Sequence, residues 1–221
     1  LMDSTTGRVL MSKDMHTKRL IASITKIMTA TLAIESGKLN DVVEVSPIIK
    51  EAYGSGIYIE VGEEITLKDL VYGLMLRSGN DAAMMISEYI GGTTEEFVNM
   101  MNKKAKELGM KETTFYNPSG LPTPSGNYSS VYDMALLTKH AMNSPVYQEI
   151  VKTKTYKVTT NKKTYLWHNK NKLLKYDYIT GGKTGYTEES GRTLVSTANI
   201  DNMSLIVVTI RDSDDWNTHI E

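Results

Sequence analysis

The order of elements along this 221-residue chain predicts an α/β (α+β) fold, with one antiparallel sheet completed by both chain ends and a mostly helical insertion at about residues 60–150. Three observations carry the prediction. Short apolar runs around a turn open the chain, and longer β-branched runs close it. Between them lie several helix-periodic stretches, most with a start or stop signal. A hydrophobic fraction of 40% supports one well-buried core and is too little sequence for two full-sized domains, so residues 1–221 are expected to form one globular unit.

The first element is a hairpin, with Leu1-Met2-Asp3 and Arg8 to Met11 flanking a Gly7 turn. Residues 21–35 then place Ile24, Ile27, Met28, Leu32 and Ile34 at helical spacing and stop before Gly37. Thr66 with Asp69 starts a helix over 67–76; residues 80–90 form the next, closed by Gly91-Gly92; Thr93 with Glu96 opens an amphipathic helix to Leu108. Residues 117–128, rich in Pro, Gly and Ser, read as a long loop, and Ser130 with Asp133 begins a helix to about Met142. From Lys154 the period changes to two. Residues 155–159 and 164–167 alternate like strands, and 192–198 with 203–210 read as a hairpin across Asn199 to Asn202.

Bulk numbers exclude several classes. A formal net charge of -1 gives no argument for nucleic acid or an anionic membrane surface as partner. The absence of cysteine removes thiol nucleophiles, thiolate metal sites and disulfides. His16, His140, His168 and His219 have no metal-ligand spacing, so neither metal nor cofactor is expected. No run approaches a membrane span. Leu1 is not an initiator methionine and opens directly into strand-like sequence, so a trimmed or mature chain is expected, with a secretion signal upstream and further sequence beyond Glu221.

Three strings carry chemistry: Ser23-Ile-Thr-Lys26, Ser78-Gly-Asn80 and Lys183-Thr-Gly185. A serine hydroxyl needs a base within about 2.6–3.2 Å to act as a nucleophile. Lys26, one helical turn after Ser23, is placed to be that base if burial or a second cation lowers its ordinary value of about 10.4, and Lys183 is the natural second cation. Taken alone, Ser23 reads better as a serine satisfying backbone donors at a helix start and Lys26 as a solvated lysine; the other two strings reverse that preference. Ser-Gly-Asn recurs at 125–127, where a proline-rich context reads as turn chemistry, whereas the first copy lies between two helices. Asn80 could equally cap the following helix. Lys183 and Thr184 at a strand edge make a compact carboxylate site that Gly185 leaves open to a ligand backbone. Gly181 to Thr184 also reads as the tail of a phosphate loop, but Asp177 stands where that motif needs glycine. Glu95 and Asn99 imitate the spacing of a deacylating glutamate, on what reads as a solvated helix face.

In these strings, and in Ala22 to Thr29, Ser78 to Ala82, Phe115 to Leu121, Tyr128 to Asp133 and Gly182 to Thr187, the chain resembles the D-alanyl-D-alanine carboxypeptidases among the low-molecular-mass penicillin-binding proteins. The resemblance implies a five-stranded antiparallel sheet flanked by helices with a helical subdomain. It also implies a serine peptidase outside the cytoplasm, secreted or associated with the cell envelope, acting in cell-wall biogenesis and cell shape. Ser23 would attack the D-Ala-D-Ala bond of a peptidoglycan stem pentapeptide, with Lys26 as base and Ser78 and Asn80 assisting. Lys183 and Thr184 would hold the terminal carboxylate, Gly185, Tyr186 and Thr187 would complete the substrate edge, and the backbone N–H groups of Ser23 and Tyr186 would form the oxyanion hole. β-Lactams would acylate the same serine and leave slowly. Relatives commonly carry a C-terminal β-rich domain and a membrane anchor, neither of which is in this sequence, and often have histidine where this chain has Asn127. Two other outcomes share the motifs: a β-lactam-hydrolysing enzyme, and a sensor that is acylated without turnover.

Overall fold

A computed structural model of the chain describes residues 1–122 and 124–221. Its strands are Met2–Asp3 (β1), Arg19–Leu20 (β2), Val42–Glu44 (β3), Glu64–Thr66 (β4), Tyr128–Ser129 (β5), Thr155–Thr159 (β6), Thr164–His168 (β7), Ile179–Thr187 (β8), Gly191–Ile200 (β9) and Met203–Ile210 (β10). Its α-helices are Lys26–Glu35 (α1), Leu67–Arg77 (α2), Asn80–Gly91 (α3), Thr94–Glu107 (α4), Val131–Ala141 (α5), Pro145–Lys152 (α6) and Asp215–Thr218 (α7).

Both chain ends do meet in one antiparallel sheet, of order β1-β10-β9-β8. Among the described residues it has four strands, where the resemblance implies five. Residues 8–11 fold back on β1 as expected, but the amides of Leu10 and Met11 both turn to the Leu1 carbonyl. This bulge breaks the ladder and leaves one bridge, Met2 to Val9. The β9–β10 hairpin is tight because Asp201 and Asn202 both adopt positive φ, 49° and 64°, the twist a two-residue turn requires.

The capping signals act as the sequence predicts. Thr66, Thr93 and Ser130 each accept, through the side-chain oxygen, the amide three residues on, at 3.1 Å. A helix not anticipated, α6, starts with Ser144 as its cap and Pro145 in its first turn. The stretch read as one helix over 21–35 divides in two: residues Ala22–Thr25 form a 3-10 turn before α1 begins. Ala22 has φ +48°, and the residue before it is gripped twice, by Ile21 N–H donating to Asn127 O and by Thr193 Oγ1 donating to Ile21 O. Those grips come from residues more than 100 positions away, which helical periodicity cannot register.

Helix α1 is buried from Lys26 to Ala33, as a helix apolar around most of its circumference should be when neighbours surround it. It packs against α2, α3, α4, α5 and α6, and a continuous apolar cluster joins these helices to Val195 of the sheet. Strand β8 lies along the 3-10 turn, so the sheet edge and the start of α1 face each other. No helix of the described residues is long and apolar enough to cross a membrane.

Candidate active site

Ser23 sits half-buried in the 3-10 turn, and Lys26, one turn later, is fully buried beneath it. Lys26 Nζ lies 3.0 Å from Ser23 Oγ, 2.8 Å from Asn80 Oδ1 and 2.6 Å from the Ser119 carbonyl oxygen. Two of these partners can only accept. A neutral amine has two N–H bonds and one lone pair, so donation to Asn80 and Ser119 leaves the lone pair directed to the Ser23 hydroxyl proton. The electrostatics favour that neutral form. Burial, then the positive charges of Lys183 and Lys170, hold Lys26 well below the ordinary lysine value, with only Asp81 acting in the opposite sense.

Ser78 ends α2 in the left-handed conformation, φ 61°, which swings its hydroxyl out of the helix and onto Lys183 Nζ at 3.1 Å. Gly79 is the N-cap of α3, with no side-chain cap bond, so Asn80 does not cap. Its amide group spans the cleft: Oδ1 accepts from Lys26, while Nδ2 donates to Tyr53 O at 2.6 Å. Next in sequence, Asp81 accepts the amides of Ile57 and Tyr58, fixing the segment that forms the adjoining wall.

On the opposite side, buried Lys183 also donates to Thr184 O at 2.7 Å. Its burial, and next the charge of Lys170, bring it down to about 7. Gly185 comes so near the nucleophile turn that a Cβ there would stand 2.9 Å from the Ser23 amide nitrogen and 2.3 Å from Thr193 Oγ1. A side chain at 185 would fill the space in front of that amide. Thr184 is half-buried and its hydroxyl has no protein partner among the described residues; the Tyr186 ring is 65% exposed. Thr187 Oγ1 is engaged with Ser190, shaping the β8–β9 turn.

Sequence reasoning missed four contributors. The Ser119 carbonyl is a backbone group, invisible to motif reading. Asn127, in the second Ser-Gly-Asn, is 1% exposed and positions that carbonyl's loop: its Oδ1 accepts the amides of Tyr116 and Asn117, and its Nδ2 donates to Thr25 Oγ1 and Asn117 O. Gly120 lies in the same loop, where a Cβ would stand 1.9 Å from Ala22 O. Lys170 donates to Ser55 Oγ at 3.2 Å, and only its neighbourhood in space links it to the other lysines. Glu95 and Asn99, by contrast, are exposed on α4 and take no part in the hydrogen bonds around Ser23. Among the described residues no three His, Asp or Glu side chains converge as a metal site. A cavity of about 440 Å³, lined by Lys139, Lys152, Thr180 and Asn199 among others, includes none of the motif residues, so chemistry and not volume locates the candidate site.

Comparison with known proteins agrees with this geometry. The chain is 44% identical over 219 residues to the D-alanyl-D-alanine carboxypeptidase DacF of Bacillus subtilis, covering 94% of this chain and 55% of that protein. To DacC of Escherichia coli it is 35% identical, covering 95% of this chain and 55% of the relative. The chain thus spans about half the length of the curated relatives it matches. Among solved structures, the Streptomyces K15 DD-transpeptidase superposes with a TM-score of 0.92 at 29% identity, over 99% of this chain and 93% of that one. A D-alanyl-D-alanine carboxypeptidase from Mycobacterium tuberculosis gives 0.91 at 30% identity, over 95% and 80%. The fold is therefore that of the penicillin-binding-protein-like DD-peptidases. The family model for D-alanyl-D-alanine carboxypeptidases matches residues 1–214, from the opening hairpin to the threshold of α7, and by that match the chain belongs to peptidase family S11.

Proposed function

We propose that this chain is the catalytic unit of a serine-type D-Ala-D-Ala carboxypeptidase that removes the terminal D-alanine from peptidoglycan stem pentapeptides outside the cytoplasm. The observation that carries the reading is the environment of Lys26, a buried amine with two fixed acceptors and one hydroxyl within 3.0 Å. Lys26 takes the Ser23 proton as Oγ attacks the penultimate carbonyl carbon. The backbone N–H groups of Ser23 and Tyr186 receive the negative charge that develops on the carbonyl oxygen. As the C–N bond breaks, the Ser78 hydroxyl gives its proton to the departing amine and takes in return the proton that Lys26 had accepted, so Lys26 is neutral again, and D-alanine leaves with its carboxylate between Lys183 and Thr184. Water then attacks the ester carbon and gives a proton to neutral Lys26, which passes it to Ser23 Oγ as the ester C–O bond breaks, regenerating the hydroxyl and the neutral amine.

A β-lactam presents an acylable carbonyl and a carboxylate in a similar arrangement, so it enters the same site and stays on Ser23. Membership in S11 supports this reading, which includes a role in cell-wall biogenesis and cell shape for a secreted or envelope-associated peptidase. The test is release of free D-alanine from diacetyl-Lys-D-Ala-D-Ala, with and without penicillin, followed by intact-protein mass spectrometry. Penicillin-blocked release with one adduct on Ser23, both lost in Ser23→Ala, is expected. Undiminished release by Ser23→Ala overturns the assignment, an adduct without any release identifies a sensor, and rapid turnover of a chromogenic cephalosporin identifies a β-lactam hydrolase.

A further inference from the structure

Formal net charge conceals a segregation of charge along the chain. Residues 150–176 contain eight lysines and neither aspartate nor glutamate, in a chain of net charge -1, so the rest of the molecule is correspondingly acidic. Seven of the eight are exposed: Lys152, Lys154, Lys157, Lys162, Lys170, Lys172 and Lys175. Among the described residues only the eighth, Lys163, has a carboxylate partner, Glu60 at 2.8 Å. The nearby Glu149 accepts from Tyr72 and Lys68, and Glu63 is buried against Tyr165. Asp177 is the acid that ends the stretch.

The structure makes this stretch continuous with the catalytic cleft. The β6–β7 hairpin turns Val158, Tyr165 and Trp167 inward and Lys157 outward, opposite Leu166. At its open end Asn169 N–H donates to Lys154 O, which puts Lys154 beside the chain that carries Lys170. Lys170 then reaches Ser55, whose carbonyl accepts the Asn80 amide. Lys172 and Lys175 lie on a 3-10 helix packed against β8, and Lys152 lines a cavity with Thr180 of the same strand. Like charges gathered without carboxylate partners raise the local potential, the electrostatic footprint of a surface that meets a polyanion.

We propose that this lysine band is a docking surface for the strand that carries the substrate peptide, engaging the carboxylates of stems other than the one in the cleft. The inference rests on the carboxypeptidase reading. Every stem ending in D-Ala-D-Ala bears a free carboxylate, and stems repeat along a glycan strand, so the polymeric substrate is a polyanion while a single acyl-tripeptide is not.

The test compares the two substrates. A variant with Lys152→Gln, Lys154→Gln, Lys157→Gln and Lys175→Gln removes four exposed charges that pair with no acid, and it leaves the catalytic lysines intact. D-alanine release from diacetyl-Lys-D-Ala-D-Ala is expected to stay within about twofold of the parent, while release from isolated pentapeptide-rich sacculi and co-sedimentation with them fall about tenfold. Raising NaCl from about 50 to about 500 mM is expected to weaken the parent's sedimentation and leave the variant's nearly unchanged. Sacculi stripped of phosphodiester-linked polymers by hydrofluoric acid are expected to retain the binding. Equal sedimentation of parent and variant, binding lost with the phosphodiester polymers, or binding only to vesicles of anionic phospholipid would each overturn the proposal. Failure of the parent to release D-alanine even from the tripeptide would instead defeat the carboxypeptidase reading.

Discussion

Ser-Gly-Asn stands at 78–80 and again at 125–127, and the structure uses the two copies at different distances from the reacting atoms. In the first, Ser78 takes the left-handed conformation between α2 and α3, and its hydroxyl and the Asn80 amide point at Lys183 and Lys26. In the second, Asn127 spends all its bonding capacity on Thr25 and on the backbone of the 116–127 loop. Ser125 is exposed, and among the described residues only its backbone carbonyl is used, by Asn117. The first copy touches Lys26; the second holds the loop whose Ser119 carbonyl touches Lys26. A tripeptide therefore does not specify chemistry. The conformation imposed by its flanking elements decides whether its side chains meet a substrate or their own chain.

That comparison ranks the consequences of substitution. Lys26→Ala removes the group on which the first copy and the loop both converge, and the acylation rate with a β-lactam is expected to fall by about a thousandfold or more. The protein is expected to keep its circular dichroism spectrum, because the same change eliminates a buried amine. Stopped-flow acylation at a parental rate in this variant would detach the network from catalysis altogether. Asn80→Ala, which frees one of the two acceptors that orient Lys26, is expected to cost about a hundredfold in kcat/KM.

Asn127→Ala sharpens the contrast, because its main effect is expected in stability. It leaves the Tyr116 and Asn117 amides and the Thr25 hydroxyl without their partner, a loss of about 3 kcal/mol in a urea titration. Acylation by the folded fraction is expected to fall only several-fold. A hundredfold loss in acylation with unchanged stability would place Asn127 in the same class as Asn80.

How much of this was legible in sequence follows the same division. Ser23, Lys26, Ser78, Asn80 and Lys183 stood out only together, as three ordered strings resembling a family's, whereas the caps Thr66, Thr93 and Ser130 stood out by a local signal. The 3-10 entry to α1 did not, since Ala22 is held at positive φ by Asn127 and Thr193 from distant parts of the chain. The Ser119 carbonyl carries no residue-type signal at all. Arg8 to Met11 had the right composition for a fifth strand, but a bulge at Leu10, set by the pairing with Leu1, stopped the ladder.

Lys170 belongs to the neighbourhood of the first copy alone and sharpens the comparison by pH. In the proposed mechanism activity requires Lys26 neutral and Lys183 charged, so the rate is expected to rise as Lys26 loses its proton and to fall as Lys183 does. Lys170 depresses both groups after burial has done so, as the next cause for Lys183 and after Lys183 for Lys26. Removing its charge in Lys170→Gln raises both, and the bell of acylation rate against pH is expected to move to higher pH by a few tenths of a unit to about one unit. An unmoved bell with a reduced maximum would mean that Lys170 acts by holding Ser55 and not by its charge.

The smallest expected effect is the most discriminating, because it compares identical substitutions in identical strings. Ser125→Ala keeps the carbonyl that Asn117 uses and removes a hydroxyl with no protein partner among the described residues, so stability is expected to stay within about 0.5 kcal/mol and acylation within about twofold. Ser78→Ala removes the hydroxyl 3.1 Å from Lys183 and is expected to slow peptide cleavage about a hundredfold. Ser78→Gly separates the two roles of that position: glycine relieves the left-handed backbone by roughly 1 kcal/mol, yet it lacks the hydroxyl and is expected to be as slow as Ser78→Ala. If Ser78→Gly cleaved at the parental rate, the first copy would owe its role to backbone geometry, and the two copies would differ only in where they bend the chain.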